Sequence, residues 1–517
     1  MQPSQSPNHL QNSHLKTNRW LRAIEKTGNK LPHPTALFIF FCLGIVFISA
    51  IAALFKLSVV ATSGQTIVAQ SLLSQAGLHY FLTHAVTNFV QFAPVGTLLV
   101  AILGLGIAEH SGLLTKLLKA IVQKTPASLL TTTVVFCGVM SSLASDSGYV
   151  VLLPLAAILF MQAGRHPIAG IACAFAGVSA GYSANLFVGP LDAILAGLSQ
   201  EAAKLVDSQY QVAVTSNYYF IVVSTLLITL VGSVICQRFT VPQTQDLAFT
   251  RPSDETEQTL ADTDALQTRK ALRATGLVFV VLCGLMLWGC LPSDGFLRST
   301  EGSFIQSPFL SGIVVIVAIT AALCGITYGL VSGRYQHWHD CIAGMEENIA
   351  TLASYLVLMF FAAQFVNLFS WSQLGQILAI TGAAGLQHIH LPLPLLLITF
   401  VILTGLINLL IGSASAKWAL LAPIFVPMFM LLGIAPEATQ MAYRIGDSTT
   451  NIITPLMPYF GVVIAFMQKY NRNLGAGTVV ALMLPYSIAL LVCWTCLLAI
   501  WLLFNLPLGP NAYAFLP

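Results

Sequence analysis

Arg444 and Asp447, in YRIGDSTTNIITP (443–455), stand three residues apart in a chain of which only 8% is charged. That spacing puts both side chains on one helix face, within reach of each other. Each would cost about 2.5–3.5 kcal/mol at the centre of a bilayer, so the pair reads as substrate or proton handling, with a structural ion pair as the plain rival. Asp192 follows a Gly- and Pro-broken segment in VGPLDAILAG (188–197). A carboxylate there can bind a cation, carry a proton when desolvated, or cap the helix that starts beside it. Asn185 and Asn451 lie in YSANLF (182–187) and TTNIIT (449–454). Their amide oxygens, with freed backbone carbonyls, suit Na⁺ as a coupling ion; interhelical hydrogen bonding is the alternative.

Two small-residue segments carry further groups. SSLASDSG (141–148) holds Ser145 and Asp146 as ion-binding candidates, and GSASAKW (412–418) holds Ser415 and Trp418, a hydroxyl and an aromatic face for one ligand. Lys417 is the one charged residue between Glu347 and Glu437. It reads as an ammonium in a wet, protein-lined cavity that tunes the field around an anionic substrate and matters less to the ligand than its neighbours. His337, His339 and Asp340 in RYQHWHDC make a weak metal signal, and Cys493 with Cys496 a weak redox one. No His-Glu-x-x-His motif or paired Ser and His marks a membrane-embedded enzyme; that class and a passive channel for small organic anions are the rivals to a carrier.

The elements that must hold these groups are membrane helices. With 517 residues, 56% of them hydrophobic, the chain departs far from a soluble domain, which carries about 25% charge. Runs approach the ~20 apolar residues that cross a bilayer, and no alternating pattern suggests a barrel. A net charge of +3 gives no reason to expect nucleic acid, and the ten cysteines fit packing better than disulfides. Full spans are expected at 35–56, 84–108, 168–189, 216–237, 272–291, 308–331, 348–369, 439–468 and 477–505. Stretches 127–164 and 391–434 are expected as re-entrant hairpins of opposite orientation. Lys116, Lys119, Lys124 and Arg165 flank the first, which puts both its ends in the cytoplasm, and parity puts both ends of the second outside. Residues 1–34 form a cytoplasmic N-terminal segment and 239–271 a polar cytoplasmic linker.

At a shift of 269 the chain matches itself: Leu152/Leu421, Pro154/Pro423, Phe160/Phe429, Met161/Met430, Gly164/Gly433, Pro167/Pro436, Ala169/Ala438, Gly177/Gly446 and Ser179/Ser448. Residues 35–238 and 308–507 therefore read as inverted repeats joined through 239–271 and a linking span at 272–291. Inverted repeats with broken helices mark secondary transporters, whose binding site lies near the midplane.

LPHPTALFIFF, FAPVGTLLV, FAGVSAGYSANLFVGPLD, IGSASAKWALLAPIFVPM and YRIGDSTTNIITP together resemble the AbgT family of p-aminobenzoyl-glutamate transporters and antimetabolite exporters. The resemblance runs from about residue 20 to the C-terminal end. It implies a homodimer in the bacterial inner membrane whose protomer has nine spans and two opposed hairpins. It also implies uptake of p-aminobenzoyl-glutamate or efflux of sulfonamides, driven by a proton or sodium gradient, with no cofactor beyond a coupling ion. The family's functional positions fall on Asp192, Ser415, Trp418, Pro436, Arg444, Asp447 and Pro455.

Overall fold

The computed structural model describes residues 34–60, 66–144, 148–245, 247–250, 265–292, 294–299, 307–457 and 459–516. Apart from one short hairpin, Ser58–Val60 paired with Thr66–Val68, and two isolated bridges, its regular structure is helical. Among the described residues, seven helices are long and apolar enough to cross a bilayer: Thr35–Leu54, Gln75–His110, Tyr218–Gln245, Leu266–Cys290, Ile313–Val331, Ala353–Trp371 and Ala476–Leu503. Leu374–Ile389 and Leu393–Asn408 make an eighth if counted together, bent by 114°. The bend falls where His390 adopts φ 53° and Pro392 precedes the next helix. Outer helices turn large apolar side chains outward, among them Phe47, Ile51, Leu277 and Trp288, as a lipid-facing surface requires.

Beyond short breaks at Gln91–Phe92, Gly312 and Leu352, two expected spans are widely interrupted. The 168–189 stretch is helical over Pro167–Phe175, widens to a π-turn at Ala176–Ala180 and ends before a new helix, Pro190–Ala203. The 439–468 stretch divides into Pro436–Asn451 and Phe460–Gln468. In each the polar, Gly- or Pro-bearing part of the sequence is where the helix stops. The 272–291 span begins earlier, at Ala265, so a charged turn with Arg269 and Lys270 extends the helix into the expected linker.

The chain executes the same stop and start twice, 269 residues apart. Helix Leu153–Gln162 ends at Gly164, φ 71°, with Arg165 N donating to Phe160 O at 2.8 Å. Helix Ala414–Met430 ends at Gly433, φ 88°, with Ile434 N donating to Phe429 O at 2.9 Å. Only glycine takes this left-handed C-cap without penalty. The next helices then start on Pro167 and Pro436, where proline's missing N–H costs nothing.

Each of these turns is clasped by chain from after the last long helix of its half. His166 shares a hydrogen bond with Leu247 O (3.0 Å) and packs edge-on against Phe249. Ala435 N donates to Ala514 O (2.9 Å), and Leu516 N donates to Gly433 O (2.8 Å).

Candidate functional site

Helix Pro436–Asn451 reads PEATQMAYRIGDSTTN, and all 16 residues are buried. A polar helix enclosed on every side owes its stability to specific partners rather than to an apolar stripe. It packs against Leu393–Asn408, Ala476–Leu503, Ala414–Met430 and Pro190–Ala203. Gly446 permits the closest approach, since a Cβ there would meet Thr404 Oγ1, Val401 O and Gly405 N. Pro436 is its first residue, and Pro455 lies in the turn beyond its end.

Arg444 and Asp447 share a face but do not pair with each other. Arg444 Nη2 lies 2.6 Å from Asp192 Oδ1, with both side chains buried. Asp447 Oδ1 instead receives the ammonium of Lys417, from the first turn of Ala414–Met430. Both charges of the one helix are thus neutralised from facing helices, as burial of each requires. Asp192 both pairs and caps, because its Oδ2 accepts from Gly189 N at 2.8 Å.

Lys417 is thus no field-tuning ammonium in a wet cavity. Its side chain is 1% exposed, and its Nζ also donates to Asn408 Oδ1. Asn408, buried in the apolar run VILTGLINLL, donates through Nδ2 to Asp447 O (2.7 Å), Thr450 Oγ1 (2.8 Å) and Asn451 Oδ1 (2.9 Å). The sequence reading missed Asn408, although one amide in so apolar a run is the signal that could have found it. It missed Glu437 as well, whose buried carboxylate accepts from Tyr210 OH at 2.9 Å.

Trp418 offers no open aromatic face. It is 0% exposed, stacks on Tyr443 at 4.6 Å, and donates through Nε1 to Ser199 Oγ at 3.0 Å. Tyr149, which stands opposite Trp418 at the shift of 269, stacks on Tyr459 at 4.4 Å, so each of the two aromatics reaches into the other half. Ser415 is half-buried, 3.5 Å from Ser413 Oγ. Asn185 donates to Ser142 Oγ (2.8 Å) and accepts from Phe187 N (3.0 Å). Ser145 and Asp146 lie outside the described residues. Asp340 is used as a helix cap: its carboxylate accepts from Gln336 N and His337 N, which hold it below the usual carboxylate range.

Three buried atoms at 444, 447 and 448 have no hydrogen-bond partner among the described residues: Arg444 Nε, Asp447 Oδ2 and Ser448 Oγ. Positions i, i+3 and i+4 form one patch. Leaving such groups unpaired costs about 1–3 kcal/mol each.

Apolar spans around an enclosed polar helix define a multi-pass membrane transporter. The chain belongs to the AbgT family: the family model described as "AbgT putative transporter family" matches residues 19–516. The p-aminobenzoyl-glutamate transport protein of Escherichia coli K12 is 35% identical over 492 residues, covering 95% of this chain and 96% of that one. The crystal structure of the Alcanivorax borkumensis YdaH transporter, described as having an unusual topology, matches with TM-score 0.88 and 51% identity over 93% of this chain and all of that one. The structure of Neisseria gonorrhoeae MtrF, assigned to a class of antimetabolite efflux pumps, matches with TM-score 0.90 and 44% identity over 96% of this chain and all of that one. These relatives are transporters rather than enzymes.

Proposed function

We propose that this chain is a secondary active transporter of the bacterial inner membrane, with its N-terminus cytoplasmic. It works as a homodimer by alternating access, moving p-aminobenzoyl-glutamate or exporting sulfonamide-like antimetabolites in a process coupled to a proton or sodium gradient. The observation that carries the reading is the unpartnered patch of Arg444 Nε, Asp447 Oδ2 and Ser448 Oγ on a fully buried helix. A guanidinium with a spare N–H recognises a carboxylate or sulfonyl oxygen, and the hydroxyl and carboxylate can accept from an aromatic amine or amide. The relatives' described activities support that substrate class.

In this reading Arg444 binds the acidic group of the substrate, and Asp192 holds the guanidinium in place until it does. Arg444 exchanging between Asp192 and substrate links binding to a change across the two halves, because Asp192 and Arg444 belong to different repeats. Asp192 and Asp447 are the coupling carboxylates for protons, and Asn185 and Asn451 supply oxygens where Na⁺ is the coupling ion. Pro436 and Pro455 set where the helix begins and where it cannot resume; Ser415 and Trp418 position the facing helix start.

The test is flux in proteoliposomes under separately imposed pH and Na⁺ gradients, with p-aminobenzoyl-glutamate and a sulfonamide as alternative substrates. Arg444→Ala and Asp447→Ala should each abolish gradient-driven flux while the protein still reaches the membrane. Normal flux by either variant, or flux indifferent to both gradients, overturns the reading.

A further inference from the structure

Lys417 is placed against the electrostatics of its own helix. It lies in the first turn of Ala414–Met430, where the helix dipole favours anions and repels a cation. Its burial adds desolvation. What compensates is a set of oxygens: Asp447 Oδ1 and Asn408 Oδ1, both contacted by its Nζ. Asn408 is held in that orientation, since its Nδ2 is engaged with Asp447 O, Thr450 Oγ1 and Asn451 Oδ1. Tyr443 OH, 3.4 Å from Asp447 Oδ1, lies closer to Ala414 O at 2.6 Å. A carboxylate oxygen beside a fixed amide oxygen suits a small hard cation, and here an ammonium on a four-carbon tether is already there.

We propose that Lys417 is a built-in counter-ion, filling the oxygen site on Asp447 and Asn408 that free Na⁺ would otherwise take, so that residue 417 decides the ion selectivity of this centre. The proposal rests on the reading of Asp447 as part of the transport site. It narrows that reading: at this centre the chain neither requires nor admits Na⁺. Asp447 Oδ2, without a partner among the described residues, remains for substrate or a proton.

The experiment is thermal unfolding of the purified full chain in detergent, in NaCl or in choline chloride of equal ionic strength. Wild type should show the same Tm in both salts. Lys417→Met leaves a lone buried carboxylate, so its Tm should fall by about 5 °C or more in choline and recover in NaCl as Na⁺ enters the vacated position. Lys417→Gln serves the same purpose if the methionine variant does not fold. The pair Lys417→Met with Asp447→Asn removes both charges and should regain stability in choline with no response to NaCl. Specific stabilisation of wild type by Na⁺, a single variant as stable as wild type in choline, a lowered Tm that NaCl does not raise, or a double variant no better than the single overturns the proposal. None of these readings uses substrate, so absent flux would sink the transport reading alone.

Discussion

At the scale of single residues, the site is two ion pairs whose members come from four different helix positions, and each pair can be taken apart by removing one charge. Asp192→Asn keeps an oxygen to cap Gly189 N but leaves the Arg444 guanidinium buried without a counter-charge. The loss should approach the roughly 3–5 kcal/mol of a broken buried pair, about as large as for Asp192→Ala. Asp192→Asn combined with Arg444→Gln should recover most of it in a thermal-unfolding assay while transport stays lost; a mild single variant would show that the cap, not the charge, is what Asp192 supplies. Asp192, Arg444 and Asp447 stand out in the sequence because charge is so rare there. Their partners were not legible, because helix spacing speaks only of neighbours on one helix, whereas Asp192 and Arg444 meet across 252 residues. Lys417 was visible and misjudged: an isolated ammonium looks solvated until the facing carboxylate is in view.

At the scale of elements, the breaks decide the architecture. Gly164 and Gly433, then Pro167 and Pro436, could be read from the sequence as punctuation, and they appear in the fold as repeated caps and starts. The break within 439–468 was legible in the polar, Pro-bearing TTNIITP (449–455), but not its length, which runs to the helix restart at Phe460. Gly446 shows what the seat of the site helix tolerates. Gly446→Ala would press a methyl into Val401 O and Thr404 Oγ1 and should cost about 1–3 kcal/mol. Gly461→Ala, with open space around its Cα, should be neutral in the same unfolding assay. Equal effects at the two positions would mean that close helix contact is not what Gly446 provides.

At the scale of the whole molecule, two clasps secure the turns that launch the broken helices, one from 247–250 and one from 514–516. Nothing in the hydropathy pattern announces them, because LAFT (247–250) and AFL (514–516) are too short to read as elements and act through single carbonyls, amides and one ring; the long outer spans, by contrast, were legible from composition alone. Removing residues 512–517 should free the Gly433–Ala435 turn. On a cysteine-free background, Ile434→Cys, at a position 0% exposed, should resist a thiol reagent in the full chain and react after the truncation. Equal labelling in both would show that the tail only rests on the turn. Helix Pro436–Asn451 has one more consequence, and it concerns synthesis. A segment with Glu437, Arg444 and Asp447 cannot partition into lipid by itself. Three of the helices it packs against, Pro190–Ala203, Leu393–Asn408 and Ala414–Met430, precede it in the chain, and a fourth, Ala476–Leu503, follows it. Vectorial emergence from the ribosome therefore delivers three walls of the seat before the occupant, and the fourth, Ala476–Leu503, closes on it afterwards.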